Sequence, residues 1–123
     1  MKAGNKTPGA RLRIVVEPHI AIGPGKADML EGIRETGSIA AASRRMGMSY
    51  KRAWLLVETM NHCFKSPLVV ASRGGRARGG AVLTELGHEV LARYRRMEAL
   101  TVKAVEPEMA ALRAFVADRS DPT

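Results

Sequence analysis

The chain has 123 residues, with 20 Lys plus Arg against 12 Asp plus Glu and a formal net charge of +8. This length predicts one domain, and the positive charge favours a polyanionic partner such as DNA, RNA or an acidic membrane surface. A single cysteine excludes an internal disulfide, while no signal peptide and no apolar run near the roughly 20 residues of a membrane span are seen. We therefore expect a cytoplasmic protein with no membrane partner.

The first 36 residues predict an arm, a strand and a helix. Residues 1–10 are rich in Gly, Lys and Pro and are expected to form a mobile arm. In the stretch RLRIVVE, Leu12, Ile14 and Val16 recur at every second residue, which predicts a half-buried strand over 11–17. Pro18 and the Gly-Pro-Gly of 23–25 should end it, and a helix is predicted over 26–36 with Gly37 as its C-terminal cap.

The stretch from Gly37 to Asn61 predicts a helix-turn-helix. Ser38 and Ser49 can each cap a helix, and Gly47 falls where the chain must turn between them. An inward apolar stripe on the second helix is predicted from Ala53, Leu56, Val57 and Met60. The two serines and the glycine thus predict two short helices joined by a tight turn.

The first turn of the second helix carries Tyr50, Lys51 and Arg52. Cations near a helix N-terminus are unfavourable unless an anion binds there, and this turn is the part of the motif that enters the major groove. Arg and Lys can reach the O6 and N7 atoms of guanine. Double-stranded DNA is therefore the predicted partner, with a solvated face of an ordinary helical hairpin as the alternative.

A cationic wing is predicted after the helices. Short β-rich runs flank the segment RGGRARGG, which holds Arg73, Arg76 and Arg78. These arginines could follow a phosphate backbone or enter a narrow minor groove. A solvated linker or an RNA-binding Gly/Arg segment is the alternative.

A long helix capped by Thr84 is predicted to follow. One apolar stripe runs along it through Leu86, Val90, Tyr94, Met97, Thr101 and Val105. About 20 helical residues span about 30 Å, which is more than so small a domain covers, so we expect these residues to form a homodimer interface. The alternative is that the C-terminal helices complete the monomer's own core. Pro107 is expected to begin a further helical turn, and Arg93, Arg95 and Arg96 are expected to be solvated.

The predicted fold is mainly α with a small β-hairpin wing, a winged helix-turn-helix followed by a long C-terminal dimerisation helix. Its predicted parts are a flexible arm (1–10), the DNA-binding domain (11–84), a helical dimerisation segment (85–117) and a tail (118–123).

The sequence favours neither an enzyme nor a metal site. His62 and Cys63 are adjacent, so a helix would direct them about 100° apart. No paired carboxylates, Ser/His/Asp set or phosphate-binding loop is present, so no catalysis, metal or cofactor is expected. A nonspecific architectural DNA-binding protein, which would draw its affinity from phosphates, is the main alternative to a sequence-specific regulator.

Two segments, GPGKADMLEGIRETGSIAAASRRMGMSYKRAWLLVETMN and RGGRARGGAVLTELGHEVLARYRRMEAL, resemble the N-terminal DNA-binding domain of ModE-type molybdate-dependent transcriptional regulators, a winged helix-turn-helix akin to the LysR type. The combination of SYKRAW, a Gly-rich basic wing and LTELG is specific to that resemblance. It implies a homodimer on a palindromic operator. It also implies Ser38 near a phosphate, with the other DNA-binding positions at Ser49, Tyr50, Lys51, Arg52, Trp54, Arg73, Arg76 and Arg78.

Full-length proteins of that type continue into oxyanion-binding domains that sense molybdate or tungstate, whereas this sequence ends at Thr123. Three alternatives stay open. Either the protein is constitutive, or it takes its signal from a separate effector-sensing protein, or it regulates something unrelated to molybdenum.

Overall fold

The computed structural model describes residues 10–72 and 80–117. The elements in chain order are β1 (Ile14–Glu17), β2 (Ile20–Ile22), α1 (Pro24–Thr36), α2 (Ile39–Met46), α3 (Tyr50–Cys63), β3 (Val69–Ala71), β4 (Ala81–Leu83) and α4 (Glu85–Ala114). The strands form two antiparallel pairs, β1 with β2 and β3 with β4. In the described part of the chain, the fold is therefore mainly helical, as the sequence predicts, but it has two small hairpins where one was predicted.

The predicted single strand is one arm of a hairpin. Ile14 pairs with Ile22 and Val15 with Ala21, on either side of a turn at Pro18 and His19. His19 has φ 70°, a left-handed conformation that reverses the chain after the proline. The pairing shifts register between Val15 and Glu17. This shift interrupts the predicted alternation, so Val16 is 56% exposed instead of facing the core.

Helix α1 begins two residues earlier than predicted. Pro24 occupies its first turn, where a proline's missing N–H is not needed, so this residue starts the helix instead of preventing it. Gly37 ends the helix with φ 74°, as expected. Within α1, a Cβ built on Gly32 would lie 3.0 Å from the Cβ of Ala42. The glycine thus lets α1 and α2 cross closely.

The predicted caps and turn of the helix-turn-helix are confirmed. The Oγ atom of Ser38 accepts a hydrogen bond from the Ala41 N–H at 3.0 Å, and the Oγ atom of Ser49 accepts one from the Arg52 N–H at 3.1 Å. Gly47 has φ 71° between the two helices. Each cap of this type contributes about 1 kcal/mol.

One core joins the helices and the second hairpin. Its largest fully buried side chains are Met29, Leu30, Ile33, Val57, Met60, Leu68, Leu91 and Tyr94. Burial of each large apolar side chain stabilises the fold by about 1.5–3 kcal/mol. Leu91 and Tyr94 belong to α4, so the first half of this helix packs with the domain. The predicted boundary at residue 84 therefore does not coincide with the edge of the core.

Helix α4 is longer than predicted. Its 30 residues correspond to about 45 Å, and it continues through Pro107, where a new helix had been expected to begin. Proline removes the hydrogen bond to the carbonyl four residues earlier, that of Lys103. Both residues are exposed, so water can hydrate that carbonyl group. The proline is accommodated for this reason in the part of α4 that extends away from the core.

Arg95 holds α4 against α1, so the expectation that it is solvated was wrong. Its guanidinium lies 2.9 Å from Asp28, 2.8 Å from Glu31 and 2.9 Å from Glu98. Partial burial opposes the charge, but hydrogen bonds to the three carboxylates outweigh it and raise the pKa of Arg95. Arg93, whose side chain is 73% exposed, is solvated as predicted.

Across residues 10–72 and 80–117, no helix combines the length and the apolar character that a bilayer span requires.

Candidate nucleic-acid interface

The first turn of α3 presents uncompensated positive charge. Tyr50, Lys51 and Arg52 are all exposed there, immediately after the Ser49 cap. No acidic residue lies in this turn, whereas α4 begins with Glu85 in the usual stabilising position. No carboxylate within the described ranges pairs with Lys51 or Arg52. The helix dipole and two cations therefore add to a local positive potential.

The buried side of α3 fixes which residues face outward. Ala53, Val57 and Met60 are buried, with Leu56 packed against them, so the predicted inward stripe is confirmed. Leu55, on the opposite side, is 56% exposed beside the cations. Sequence reasoning did not single out Leu55, although its place opposite the inward stripe was the available signal.

Tyr50 and Trp54 form a hydrogen-bonded pair on the surface. The Trp54 Nε1–H donates to the Tyr50 hydroxyl oxygen at 2.7 Å, and the two residues are 42% and 49% exposed respectively. Both side chains line a groove of about 130 Å³ between α3 and the β3–β4 hairpin. Trp54 thus lies exposed at the junction of the helix and the hairpin.

Asn61, which sequence reasoning missed, attaches this hairpin to α3. Its Oδ1 atom accepts hydrogen bonds from the N–H groups of Leu68 at 2.8 Å and Val69 at 3.1 Å. Its Nδ2 atom donates to the Val69 carbonyl at 2.9 Å. A single asparagine before a loop carries no sequence pattern that distinguishes this role from an exposed polar position.

The base of the hairpin also contacts the start of α2. Ser38 forms an isolated β-bridge with Gly80, and the Ala81 N–H donates to the Gly37 carbonyl at 3.0 Å. Ser38 therefore lies beside both α2 and the hairpin. Its predicted phosphate contact remains a prediction. The predicted wing residues Arg73, Arg76 and Arg78 lie outside the described residues.

The TELG segment holds the start of α4 against Pro67 and Leu68, which precede β3. The Thr84 Oγ1 atom caps α4 by accepting from the Gly87 N–H at 2.9 Å, and it donates to the Pro67 carbonyl at 2.8 Å. A Cβ built on Gly87 would lie 2.2 Å from the Leu68 carbonyl oxygen. Only glycine permits this approach. A glycine inside a predicted helix, which costs about 1 kcal/mol relative to alanine, was the sequence signal for it.

The predicted dimerisation stripe divides into two parts. Leu86, Val90 and Met97 are partly buried against the protomer's own core. Tyr94 has no exposed surface and donates a hydrogen bond to the Leu12 carbonyl, so it is a core residue and is not available for the predicted interface. Thr101 and Val105 are half-buried farther along. The first half of α4 thus completes the monomer's own core, which was the alternative to a dimer interface.

The second half of α4 carries a different apolar seam. Val102, Val105, Met109 and Leu112 follow one another on α4 at intervals of three and four residues, and Val116 keeps this spacing two residues after the helix ends at Ala114. Leu112 is 60% exposed, Val116 67% and Val102 48%. The 3-4 spacing is that of a coiled-coil seam. This seam is available to a partner.

No group of three or more His, Cys, Asp or Glu side chains is placed to hold a metal ion in the parts of the chain that the structure describes. Cys63 is a free thiol and is half-buried.

This arrangement of a helix-turn-helix followed by a hairpin defines the fold as a winged helix-turn-helix. The solved structure of the CbnR DNA-binding domain in complex with DNA matches it with a TM-score of 0.57 and 23% sequence identity, over 72% of this chain and 95% of that one. The fold predicted from the sequence is confirmed.

Sequence comparisons connect this fold to molybdenum-related proteins. The chain is 45% identical over 82 residues to the molybdenum-pterin-binding protein MopB of Rhodobacter capsulatus, covering 67% of this chain and 30% of MopB. It is 38% identical over 89 residues to the molybdenum transport protein ModE of Azotobacter vinelandii, covering 72% and 33%. It is 30% identical over 95 residues to the DNA-binding transcriptional dual regulator ModE of Escherichia coli, covering 77% and 36%.

These findings confirm the resemblance to the N-terminal DNA-binding domain of ModE-type regulators. The chain spans about a third of the length of the curated relatives it matches. No protein-family model matches the sequence. The relatives named above are a transcriptional regulator, a molybdenum transport protein and a molybdenum-pterin-binding protein, and none of these names is that of an enzyme, in agreement with the expectation for this chain.

Proposed function

We propose that the protein is a sequence-specific DNA-binding transcriptional regulator of the ModE type, which binds a palindromic operator as a homodimer. The observation that carries this proposal is the first turn of α3, where Lys51 and Arg52 are exposed with no described carboxylate to compensate them. This turn belongs to a fold shared with a domain solved on DNA, and to a sequence similar to a DNA-binding regulator.

The residues of α3 have distinct roles in this proposal. Lys51 and Arg52 read guanine edges, because both carry donors that match O6 and N7. Leu55, one turn farther along the exposed face, offers an apolar contact to a thymine methyl group. Ser38 and Ser49 lie at helix N-termini, where backbone N–H groups favour phosphate. Arg73, Arg76 and Arg78 of the wing contribute backbone or minor-groove contacts.

The homodimer forms through the exposed seam on the second half of α4. A helix that projects about 25 Å beyond Met97 with apolar residues at coiled-coil spacing buries them best against an identical helix. A symmetric pair of α3 helices would then match a palindromic site. Binding to chromosomal DNA gives the protein a cytoplasmic, nucleoid-associated location.

The function is tested by selecting genomic DNA fragments with the purified protein at near-physiological salt, with and without molybdate. Enrichment of a palindromic motif supports a specific regulator and identifies its targets. Binding without a motif that disappears as salt rises would replace this proposal with nonspecific architectural binding. Comparing the selections made with and without molybdate decides whether this chain, like the relatives named for molybdenum, has a function that involves molybdenum. If molybdate has no effect, two alternatives remain: the protein is constitutive, or it takes its signal from a separate sensor protein. Co-purification distinguishes them.

The homodimer is tested by size-exclusion chromatography with light scattering. Leu112→Glu places a charge in the seam and should convert dimer to monomer at micromolar concentration. Ala110→Glu is the matched control, because Ala110 is also exposed on α4 but lies about 160° around the helix from Leu112. A monomeric unchanged protein, or equal behaviour of the two variants, contradicts dimerisation through the seam.

A further inference from the structure

The hydrogen bond between Trp54 and Tyr50 determines what the tyrosine can offer a ligand. An indole N–H only donates, so the Tyr50 oxygen must be the acceptor in this 2.7 Å contact. The phenol O–H is then left as a donor on a side chain that is 49% exposed. No acceptor for it is found among the described residues. The pair therefore presents an oriented neutral donor at the surface.

The position of this donor indicates its acceptor. Tyr50 and Trp54 line the groove between α3 and the β3–β4 hairpin, together with Val70 and Gly80. When the helix of such a motif enters the major groove and the wing lies beside it, the sugar-phosphate backbone passes between the two. A phosphate oxygen is a strong acceptor and carries no proton of its own. The oriented donor and the backbone thus meet at the same place.

We infer that Tyr50 donates a hydrogen bond to a DNA phosphate between α3 and the wing, and that Trp54 is a positioning residue that orients Tyr50 without contacting DNA itself. This inference rests on the proposed function. It replaces the DNA contact by Trp54 that the family resemblance implies with an indirect role. Tyr50 is accordingly a backbone-contacting residue and does not read base identity.

The pair itself is tested in the free protein, without DNA. Trp54 is the only tryptophan, so its indole N–H gives one resonance in a ¹H–¹⁵N spectrum. Tyr50→Phe should move this resonance upfield and speed its exchange with water, because the acceptor is lost. Tyr94→Phe removes the same hydroxyl from the other tyrosine and should leave the resonance in place. An unchanged resonance in Tyr50→Phe overturns the inference and leaves the proposed function standing.

The role in binding is tested with operator and scrambled duplexes. A hydrogen bond to a charged group corresponds to about 10- to 100-fold in affinity, so Tyr50→Phe should weaken both duplexes by the same factor. The salt slope should not change, since a neutral donor releases no counterion. Trp54→Phe should weaken binding by a smaller factor and add nothing in the Tyr50→Phe background. Additive effects of the two substitutions would show that Trp54 contacts DNA independently, and would overturn the inference.

A methylphosphonate scan of the operator locates the acceptor. At one phosphate in each half-site, the substitution should weaken the unchanged protein but not Tyr50→Phe. If no position distinguishes the two proteins, the phosphate contact is wrong. Failure of the unchanged protein to bind any duplex would instead contradict the proposed function, whatever the spectrum shows.

Discussion

The side-chain amide of Asn61 pairs with both backbone polar groups of Val69. Its oxygen accepts the Val69 N–H at 3.1 Å, and its nitrogen donates to the Val69 carbonyl at 2.9 Å. The same oxygen accepts the Leu68 N–H at 2.8 Å. One residue near the end of α3 thus satisfies three backbone groups of Leu68 and Val69, where the first wing strand begins, and it sets the position of the β3–β4 hairpin relative to the helix.

Asn61→Ala should lower the free energy of unfolding by about 2–3 kcal/mol, because it leaves two buried-strand N–H groups without partners. Urea denaturation measures this loss. Hydrogen exchange should locate it, with faster exchange of the Leu68 and Val69 amides. His62→Ala changes the neighbouring exposed residue and should alter stability by less than about 0.5 kcal/mol. Equal effects of both substitutions would contradict the role assigned to Asn61.

Gly87→Ala should be strongly destabilising even though alanine is the better helix former. The added Cβ would lie 2.2 Å from the Leu68 carbonyl oxygen, which is backbone and cannot rotate away. We expect the free energy of unfolding to fall by about 2–4 kcal/mol, because α4 is pushed away from Leu68. Thermal or urea denaturation measures this loss. Gly25→Ala is the control, since no atom lies within 4 Å of its added Cβ. That substitution should be neutral or stabilising by up to about 1 kcal/mol.

Tyr94 makes stability depend on alkaline pH. Burial, reinforced by the charge of Glu98, raises the pKa of Tyr94 from 10.0 to about 12. Its phenol therefore supplies stability that is fully present below pH 10 and is lost as the pH rises through about 12. This contribution to the free energy of unfolding is about 2–3 kcal/mol.

Tyr94→Phe should be less stable than the unchanged protein at pH 8, by about 1 kcal/mol, because the hydrogen bond to the Leu12 carbonyl is lost. Between pH 10 and 12 the difference should narrow and then reverse, since phenylalanine does not ionise. Urea denaturation at a series of pH values measures the difference in free energy of unfolding between the two proteins. The titration of all other groups is common to both proteins and cancels from this difference. A difference that stays constant across this range would show that Tyr94 does not ionise with a raised pKa.

The sequence predicted those features that depend on neighbouring residues. Ser38, Gly47 and Ser49 specify their caps and turn through local hydrogen bonds and a left-handed backbone, and the stripe of Ala53, Val57 and Met60 follows from helical spacing. The exposed cations at Lys51 and Arg52 follow from the same helix register. These features establish the helix-turn-helix and the side of α3 that faces outward.

Features that depend on distant partners were not predictable in this way. Arg95 has the same sequence context as solvated Arg93, and only the crossing of α4 over α1 brings Asp28 and Glu31 to it. In the sequence, Tyr94 fits the apolar stripe equally well as an interface residue or as a core residue. Which of the two it becomes depends on where the β1–β2 hairpin packs. Pro107 was expected to begin a further helical turn, because the sequence does not show that it and Lys103 are exposed within one continuous helix.

Arg52 and Arg76 should affect DNA binding in different ways. Arg52→Ala should cost about 1–3 kcal/mol on the preferred operator and relax base preference at one position of each half-site, because a bidentate contact to guanine is lost. Arg76, which lies outside the described residues, is predicted to contact the backbone. Arg76→Ala should weaken all sequences alike and reduce the salt slope by about one unit.

Binding to an operator series with single base changes, repeated at several salt concentrations, separates these effects. Arg93→Ala is the matched control: it removes one exposed arginine from α4, where Glu89 pairs with it at 2.6 Å, and changes the net charge equally. This control should alter neither base preference nor, beyond a small long-range effect, affinity. If Arg52→Ala retains full discrimination between operator and scrambled DNA, Arg52 does not read a base. The exposed first turn of α3 would then act only through its charge.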